Sequence, residues 1–141
     1  MTHLLPSAEA VAGNPAAALV ILFALVIAHA VADFVLQPEF LALGKNRHTD
    51  LSKFVGEKIP APGLWIHALS AHSLIHAGAV WLVTGSVILG VIELALHFAI
   101  DFAKCEGKTS FGIDQLLHYI CKAAYIAILY FGCNCVTWSP V

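Results

Sequence analysis

Charge is scarce in this sequence. Asp, Glu, Lys and Arg make up 11% of its 141 residues, against about 25% in an ordinary soluble domain. A water-facing shell is hard to build from so few charges, so a lipid-facing surface is the simpler expectation. The formal net charge of −2 has no basic excess, and no nucleic-acid partner is expected. A CxxC pair is missing too. The four cysteines, Cys105, Cys121, Cys133 and Cys135, lack zinc-binding spacing. A disulfide across Cys133 and Cys135 would close a strained ring, so both are read as apolar fillers. No Lys or Arg precedes the first apolar run, no small-residue cleavage site follows it, and it contains His29 and Asp33. It is therefore expected to be a retained helix and not a cleaved leader. Internal repeats and low-complexity segments are absent.

What the sequence has is apolar length. It is 60% hydrophobic with a mean hydropathy of +0.84. Four apolar stretches stand out, at about residues 16–36, 64–83, 86–103 and 113–136. Each approaches the roughly 20 helical residues that cross a hydrocarbon core of about 30 Å, and only helices or closed barrels satisfy their backbone in lipid. The expected fold is all-α: one domain, residues 1–141, forming an integral membrane bundle of four antiparallel transmembrane helices. A long polar loop, residues 37–63, joins the first two; Pro38 is placed to start a short interfacial helix there. Thr84-Gly85-Ser86 predicts a tight turn. Lys45, Arg47, Lys53 and Lys58 lie in the first loop, and Lys108, with Lys104 at its edge, in the third. By the positive-inside tendency these loops face the cytoplasm, and both termini face outward. Phe40, Leu41 and Leu43 are expected at the cytoplasmic interface, with Lys45 turned towards the site or lipid head groups.

The few ionisable residues are not scattered. His29, Asp33 and Gln37 follow one another at i, i+4, i+8; His72 and His76 at i, i+4; Glu93, His97 and Asp101 at the same spacing; then Asp114, His118 and Lys122. Residues four apart share a helix face, so each set is a line along one helix. Counted from the cytoplasmic ends at 1.5 Å per residue, His29 and His72 lie roughly 12 Å deep, His97 roughly 10 Å and His118 roughly 8 Å. Four lines therefore reach one level. An Asp or Lys at a helix centre costs about 2.5 to 3.5 kcal/mol on insertion scales, and intramembrane ionisable groups usually face the bundle interior and mark a functional site. His67 lies on the opposite face of its helix and His48 in the loop; neither is expected at the site. Trp65 and Trp81 near the two ends of the second helix suit interfacial aromatics.

Imidazole with carboxylate is a ligand set for Zn, Mn or Fe. The candidate metal ligands are His29, Asp33, His72, His76, His97, Asp101 and His118, with Glu93 and Asp114 as candidate general bases. One tetrahedral ion takes three or four protein ligands, so this surplus implies two ions, or one ion with outer carboxylates orienting the imidazoles. Gln37, Lys45, Lys104, Gln115 and Lys122 could meet an anionic head group. The plainer alternative is a structural network in which His–Asp pairs glue the helices together.

The order of these motifs resembles an uncharacterised bacterial integral membrane family catalogued as domain of unknown function 3307. The resemblance rests on His29-Ala-Val-Ala-Asp33-Phe34-Val-Leu-Gln37, the following Lys45, the His72/His76 helix, His97-Phe-Ala-Ile-Asp101-Phe-Ala-Lys104 and Asp114-Gln115-Leu-Leu-His118. It implies a small multi-pass protein of the bacterial inner membrane and brings no activity with it. A weaker likeness links the chain to membrane-bound metal-dependent hydrolases, which also carry His and Asp on membrane helices. The leading expectation is a membrane-embedded metal-binding protein acting as a metal-dependent hydrolase on a lipid-like or phosphate-bearing substrate at the cytoplasmic leaflet. Its partner would be membrane lipid, with a homo-oligomer left open. The alternatives are a divalent-metal transporter, a haem or redox membrane protein, and a non-catalytic accessory subunit.

Overall fold

The computed structural model describes residues 5–56 and 61–132. The expectations for Lys58, for Cys133 and Cys135, and for residues 133–136 as the end of the fourth stretch lie outside these residues. The described residues form helices and no strand. After a single turn, α1 (Ala8–Val11), come α2 (Pro15–Ala30) and its π-helical continuation Val31–Val35. Two short helices follow, α3 (Glu39–Gly44) and α4 (Ser52–Val55), and then three long ones, α5 (Leu64–Thr84), α6 (Val87–Cys105) and α7 (Phe111–Tyr130).

Local chemistry sets the ends. Asn14 caps α2 by accepting a hydrogen bond from the Ala17 N–H, with Pro15 in the first turn; Ser86 and Ser110 do the same for α6 and α7 through Leu89 and Ile113. Such caps contribute about 1 kcal/mol each. α5 ends at Gly85, whose φ of 72° is the left-handed conformation that glycine adopts without a Cβ penalty. That residue turns the chain straight from α5 into α6, as the Thr84-Gly85-Ser86 turn predicts. Pro38 stands just before α3, and α1 and α4 are additions that the sequence pattern did not anticipate. Each is four residues long, too short to show a period.

The long helices form an up-and-down bundle in which α2 packs on α5 and α7, and α6 on α5 and α7. One buried stripe runs down each helix, and its composition changes along the axis. On α2 it reads Ala17, Ile21 and Leu25, then His29. On α7 it reads Asp114, His118 and Lys122, then Tyr125 and Leu129. The apolar ends meet in one core of Val11, Ile21, Leu25, Val80, Leu89, Tyr125 and Leu129. There the N–H of Gly13 donates to the carbonyl of Tyr130 at 2.9 Å. The polar ends meet at the opposite end, beneath the loop that carries α3 and α4. That loop touches the α6–α7 connection, since Arg47 Nη2 donates to Glu106 Oε2 at 2.7 Å. The first and third loops therefore share one end of the molecule.

The described parts of all four apolar stretches are helical, but among the described residues length and composition pass only two as candidate membrane spans, Pro15–Val35 and Leu64–Thr84. The expectation of four such spans is narrowed accordingly. α6 carries Glu93, Asp101 and Lys104, and α7 carries Asp114 and Lys122. These charges, all buried except Lys104, dilute the hydropathy of both helices.

Candidate metal centre

Five imidazoles, one or two from each long helix, pack against one another at the polar end of the bundle. His29, His72, His76, His97 and His118 are all buried. The His76 and His97 rings stack at 3.7 Å, and His97 stacks on His118 at 4.1 Å. His72 meets His76 edge-on at 4.6 Å, and His29 lies 5.0 Å from His76 and 5.2 Å from His118. Close contact of so many rings leaves their nitrogens to find partners among the carboxylates.

Asp33 is the hub on one side. The π-helical turn widens the end of α2 and carries Asp33 on it; such turns often occur at functional sites. Its Oδ1 lies 3.1 Å from His76 Nε2 and 3.3 Å from His72 Nε2. Its Oδ2 accepts from Gln115 Nε2 at 2.8 Å and lies 3.4 Å from His29 Nε2. Asp101 is the hub on the other side. Its Oδ2 accepts from Lys45 Nζ at 2.6 Å and lies 3.4 Å from His72 Nε2 and 3.8 Å from His97 Nε2. His118 Nε2 stands between Asp101 Oδ1 at 3.6 Å and Asp114 Oδ1 at 3.7 Å, while Lys104 Nζ holds Asp114 Oδ2 at 2.9 Å.

Glu93 sits one helical turn deeper and is fully engaged. Its Oε1 accepts from Lys122 Nζ at 2.6 Å and lies 3.1 Å from His97 Nδ1; its Oε2 accepts from the Tyr125 hydroxyl at 2.8 Å. Lys122 is thus in the interior, far from any head-group position. Gln37 folds back so that its Nε2 donates to the Asp33 carbonyl at 3.1 Å. Lys45 is buried and turned into the site, and Gln115 also points inward. Lys104, 29% exposed, is the most exposed of the lysines that meet the cluster. His67 is exposed, well off the site, and His48 is exposed at the loop end. There His48 Nε2 lies 3.1 Å from Glu106 Oε1. The Arg47 hydrogen bond holds the Glu106 carboxyl below its ordinary pKa. Arg47 also lies 5.6 Å over the Trp65 and Phe102 rings.

Several buried polar atoms here have no hydrogen-bond partner: His29 Nδ1, both His72 nitrogens, His97 Nε2, His118 Nε2 and Asp114 Oδ1. A native interior pairs the large majority of such atoms, and an unpaired one costs about 1–3 kcal/mol. Lone pairs aimed into a shared space are what a cation would use. Ligand atoms lie within 4.8 Å of one another in three groups: Asp33, His72, His76 and His97; Glu93, His97 and His118; Asp101, Asp114 and His118. The donor types and ligand number fit one tetrahedral N/O site and a further cation position. Of the residues expected to ligate a metal, Asp33, His72, His76, His97, Asp101 and His118 fall in these groups; His29 packs against the His76 and His118 rings but belongs to none of them. Tyr125 was missed, although it continues the α7 stripe three residues beyond Lys122.

Compared with known proteins, residues 21–139 match the model of a family described as "Protein of unknown function (DUF3307)". No curated protein matches the chain, and no solved structure does.

Proposed function

The chain belongs to that family of unknown function, whose description supplies no chemistry, and we propose from the geometry that it is a membrane-embedded metal-binding protein. The observation that carries this reading is the inverted distribution of polarity. Five histidines and four carboxylates converge on the interior, while the outside is apolar: Leu19, Phe23, Phe34, Val35, Leu82 and Val91 are all at least 60% exposed. A soluble protein seldom exposes so large a continuous apolar surface. The two candidate spans are only 28% and 39% buried inside the protein, so most of each helix faces outward, as in lipid. With the basic loops at the site end, the positive-inside tendency puts the site at the cytoplasmic leaflet of a bacterial inner membrane.

The reaction this arrangement suits best is hydrolysis of a lipid-like or phosphate-bearing substrate. A divalent ion supplies a water of lowered pKa and polarises a phosphoryl or acyl oxygen. Asp33, His72, His76 and His97 would hold it. Gln115 orients Asp33, and Glu93 orients His97, so Glu93 serves as a positioning group and Asp114, with one free oxygen, is the better base. Lys104, partly exposed and paired with Asp114, is the lysine best placed to meet an anionic group of the substrate. Transport is less well supported, because Ile21, Leu25, Val80 and Leu89 close the far half of the bundle. Haem is too, because the stacked rings leave no slot for a porphyrin between them.

Metal analysis of the chain purified in detergent tests the proposal. About one or two equivalents of Zn, Mn or Fe are expected, consistent with the available ligand number. His72→Ala and His97→Ala should lose metal sharply, and His67→Ala should retain it. A folded chain that carries no metal and binds none on titration would leave the structural-network alternative standing.

A further inference from the structure

The cluster divides unequally in charge. Asp33 touches His29, His72, His76 and Gln115, and among the described residues no lysine or arginine reaches it. Its group with His72, His76 and His97 thus offers an anion and neutral imidazoles to a cation. The group of Asp101, Asp114 and His118 shares no residue with it, so both could be filled at once. In this second group both carboxylates already hold an ammonium, Asp101 that of Lys45 at 2.6 Å and Asp114 that of Lys104 at 2.9 Å.

Even so, the second group is not satisfied. His118 Nε2 and Asp114 Oδ1 have no hydrogen-bond partner, both side chains are at most 1% exposed, and they face each other at 3.7 Å. Asp101 Oδ1 closes the third side, 3.6 Å from His118 Nε2. Two carboxylate oxygens and one imidazole nitrogen from α6 and α7 therefore surround a common point.

Lys45 differs from Lys104 in how it gets there. Lys104 lies on α6, beside the site. Lys45 follows the six-residue α3 in the long loop, 56 residues from Asp101 in sequence. Its side chain is nevertheless only 7% exposed. With Lys45 in place the two carboxylates are balanced by two ammonium groups; without it one carboxylate is left without a lysine partner. Opposite charge at this range favours the cation, and removing a competing cation strengthens it.

We infer that Asp101, Asp114 and His118 form a second divalent-cation site, which Lys45 opposes by holding the other Asp101 oxygen. The inference rests on the metal reading above and gives Asp114 Oδ1 a ligand's role in place of a base's. Lys45 and the second ion then compete for the charge of one carboxylate: loading the ion weakens the hold of Asp101 on the Lys45 ammonium, and the ammonium weakens the ion.

The test is a Zn²⁺ titration of the full chain in detergent micelles, reading stoichiometry and affinity. The unsubstituted chain should bind one ion tightly and a second only weakly. Lys45→Met should tighten the second by on the order of tenfold or more, the worth of a charged hydrogen bond. Lys45→Arg should behave as the unsubstituted chain, and Lys45→Met/His118→Ala should lose the second ion and keep the first. A second measurement needs no substitution: acylation of Lys45, mapped by mass spectrometry, should be slow in the one-ion form and rise as the second ion loads. A Lys45→Met chain that still binds one ion, or an unsubstituted chain that binds two tightly with Lys45 protected, overturns the inference and leaves the first metal site intact. If no form binds Zn²⁺, both readings fall.

Discussion

Glu93 is bound on three sides by groups from two helices, and the ammonium of Lys122 is the one that neutralises it. Both side chains are 1% exposed. Removing one member of a buried ion pair strands the other and costs about 3–5 kcal/mol, whereas replacing both by apolar or neutral groups is often close to neutral. Lys122→Met should therefore destabilise the bundle by about that amount, and Lys122→Met/Glu93→Gln should recover most of it. The midpoint of thermal unfolding in detergent reads both. If the double variant is as unstable as the single one, the pair is not the source of the loss. Tyr125 donates to the other Glu93 oxygen, so Tyr125→Phe should cost less than Lys122→Met, because it removes a neutral donor and leaves no uncompensated charge. These contacts fix His97 through its Nδ1 and leave its Nε2 turned to the cluster, as an outer carboxylate does for a ligating imidazole.

Among the elements, α5 and α6 approach most closely, and Gly90 is the reason. A Cβ at Gly90 would stand 3.0 Å from the Ala77 carbonyl oxygen and 3.2 Å from Trp81 Cβ. The contact is with backbone, which cannot swing aside. Gly90→Ala should therefore force α6 away from α5 and cost about 1–3 kcal/mol as overpacking, more than the helix propensity it gains. Gly78→Ala is the matched control. It meets nothing within 4 Å, so it should be neutral or stabilise by about 0.5–1 kcal/mol. Equal melting midpoints for the two variants would show that the helices are not in contact at Gly90. The stripes on these elements were legible in sequence because a four-residue spacing leaves little choice of face. Hence His29, His72, His76, His97, Asp101, Asp114 and His118 could be gathered without a structure. Three features were not legible. The π-helical turn has no spacing of its own. Lys45 was expected to turn towards the site or the head groups, but its partner Asp101 lies across a loop, where periodicity says nothing. Lys122 continues the α7 stripe, but a stripe gives a face and not a partner, so its pairing with Glu93 instead of a head group needed three dimensions. The hydropathy of α6 and α7 is lowered by charges that are, Lys104 aside, interior, and a linear average cannot distinguish interior charge from charge on the outer surface.

At the scale of the whole molecule, the two ends of the bundle differ in chemistry, and this difference makes its orientation testable. One end holds Lys45, Arg47, Lys53, Lys104 and Lys108, with the first and third loops joined through Arg47 and Glu106. The other holds the α5–α6 turn and the contact between Gly13 and Tyr130, and no Lys or Arg lies in residues 5–13, 84–86 or 129–132. Basic residues in short loops are retained on the cytoplasmic side, and an anionic leaflet adds about 1 kcal/mol for each one near its surface. For the proposed membrane protein all the terms favour the same orientation, with the histidine–carboxylate cluster near the cytoplasmic leaflet and the apolar core beneath the outer one. In a chain first freed of its native cysteines, a single cysteine at Ser7 should react with a membrane-impermeant maleimide added to intact cells. One at Thr49 should react only after the membrane is opened. The reverse pattern would put the basic loops outside and move the proposed site to the other leaflet. Labelling of both positions in intact cells would deny that the bundle spans the membrane in one orientation. Labelling of neither until the membrane is opened would place both ends on the cytoplasmic side. The four long helices would then not cross as an up-and-down set, and the exposed apolar surface would need a protein partner instead of lipid.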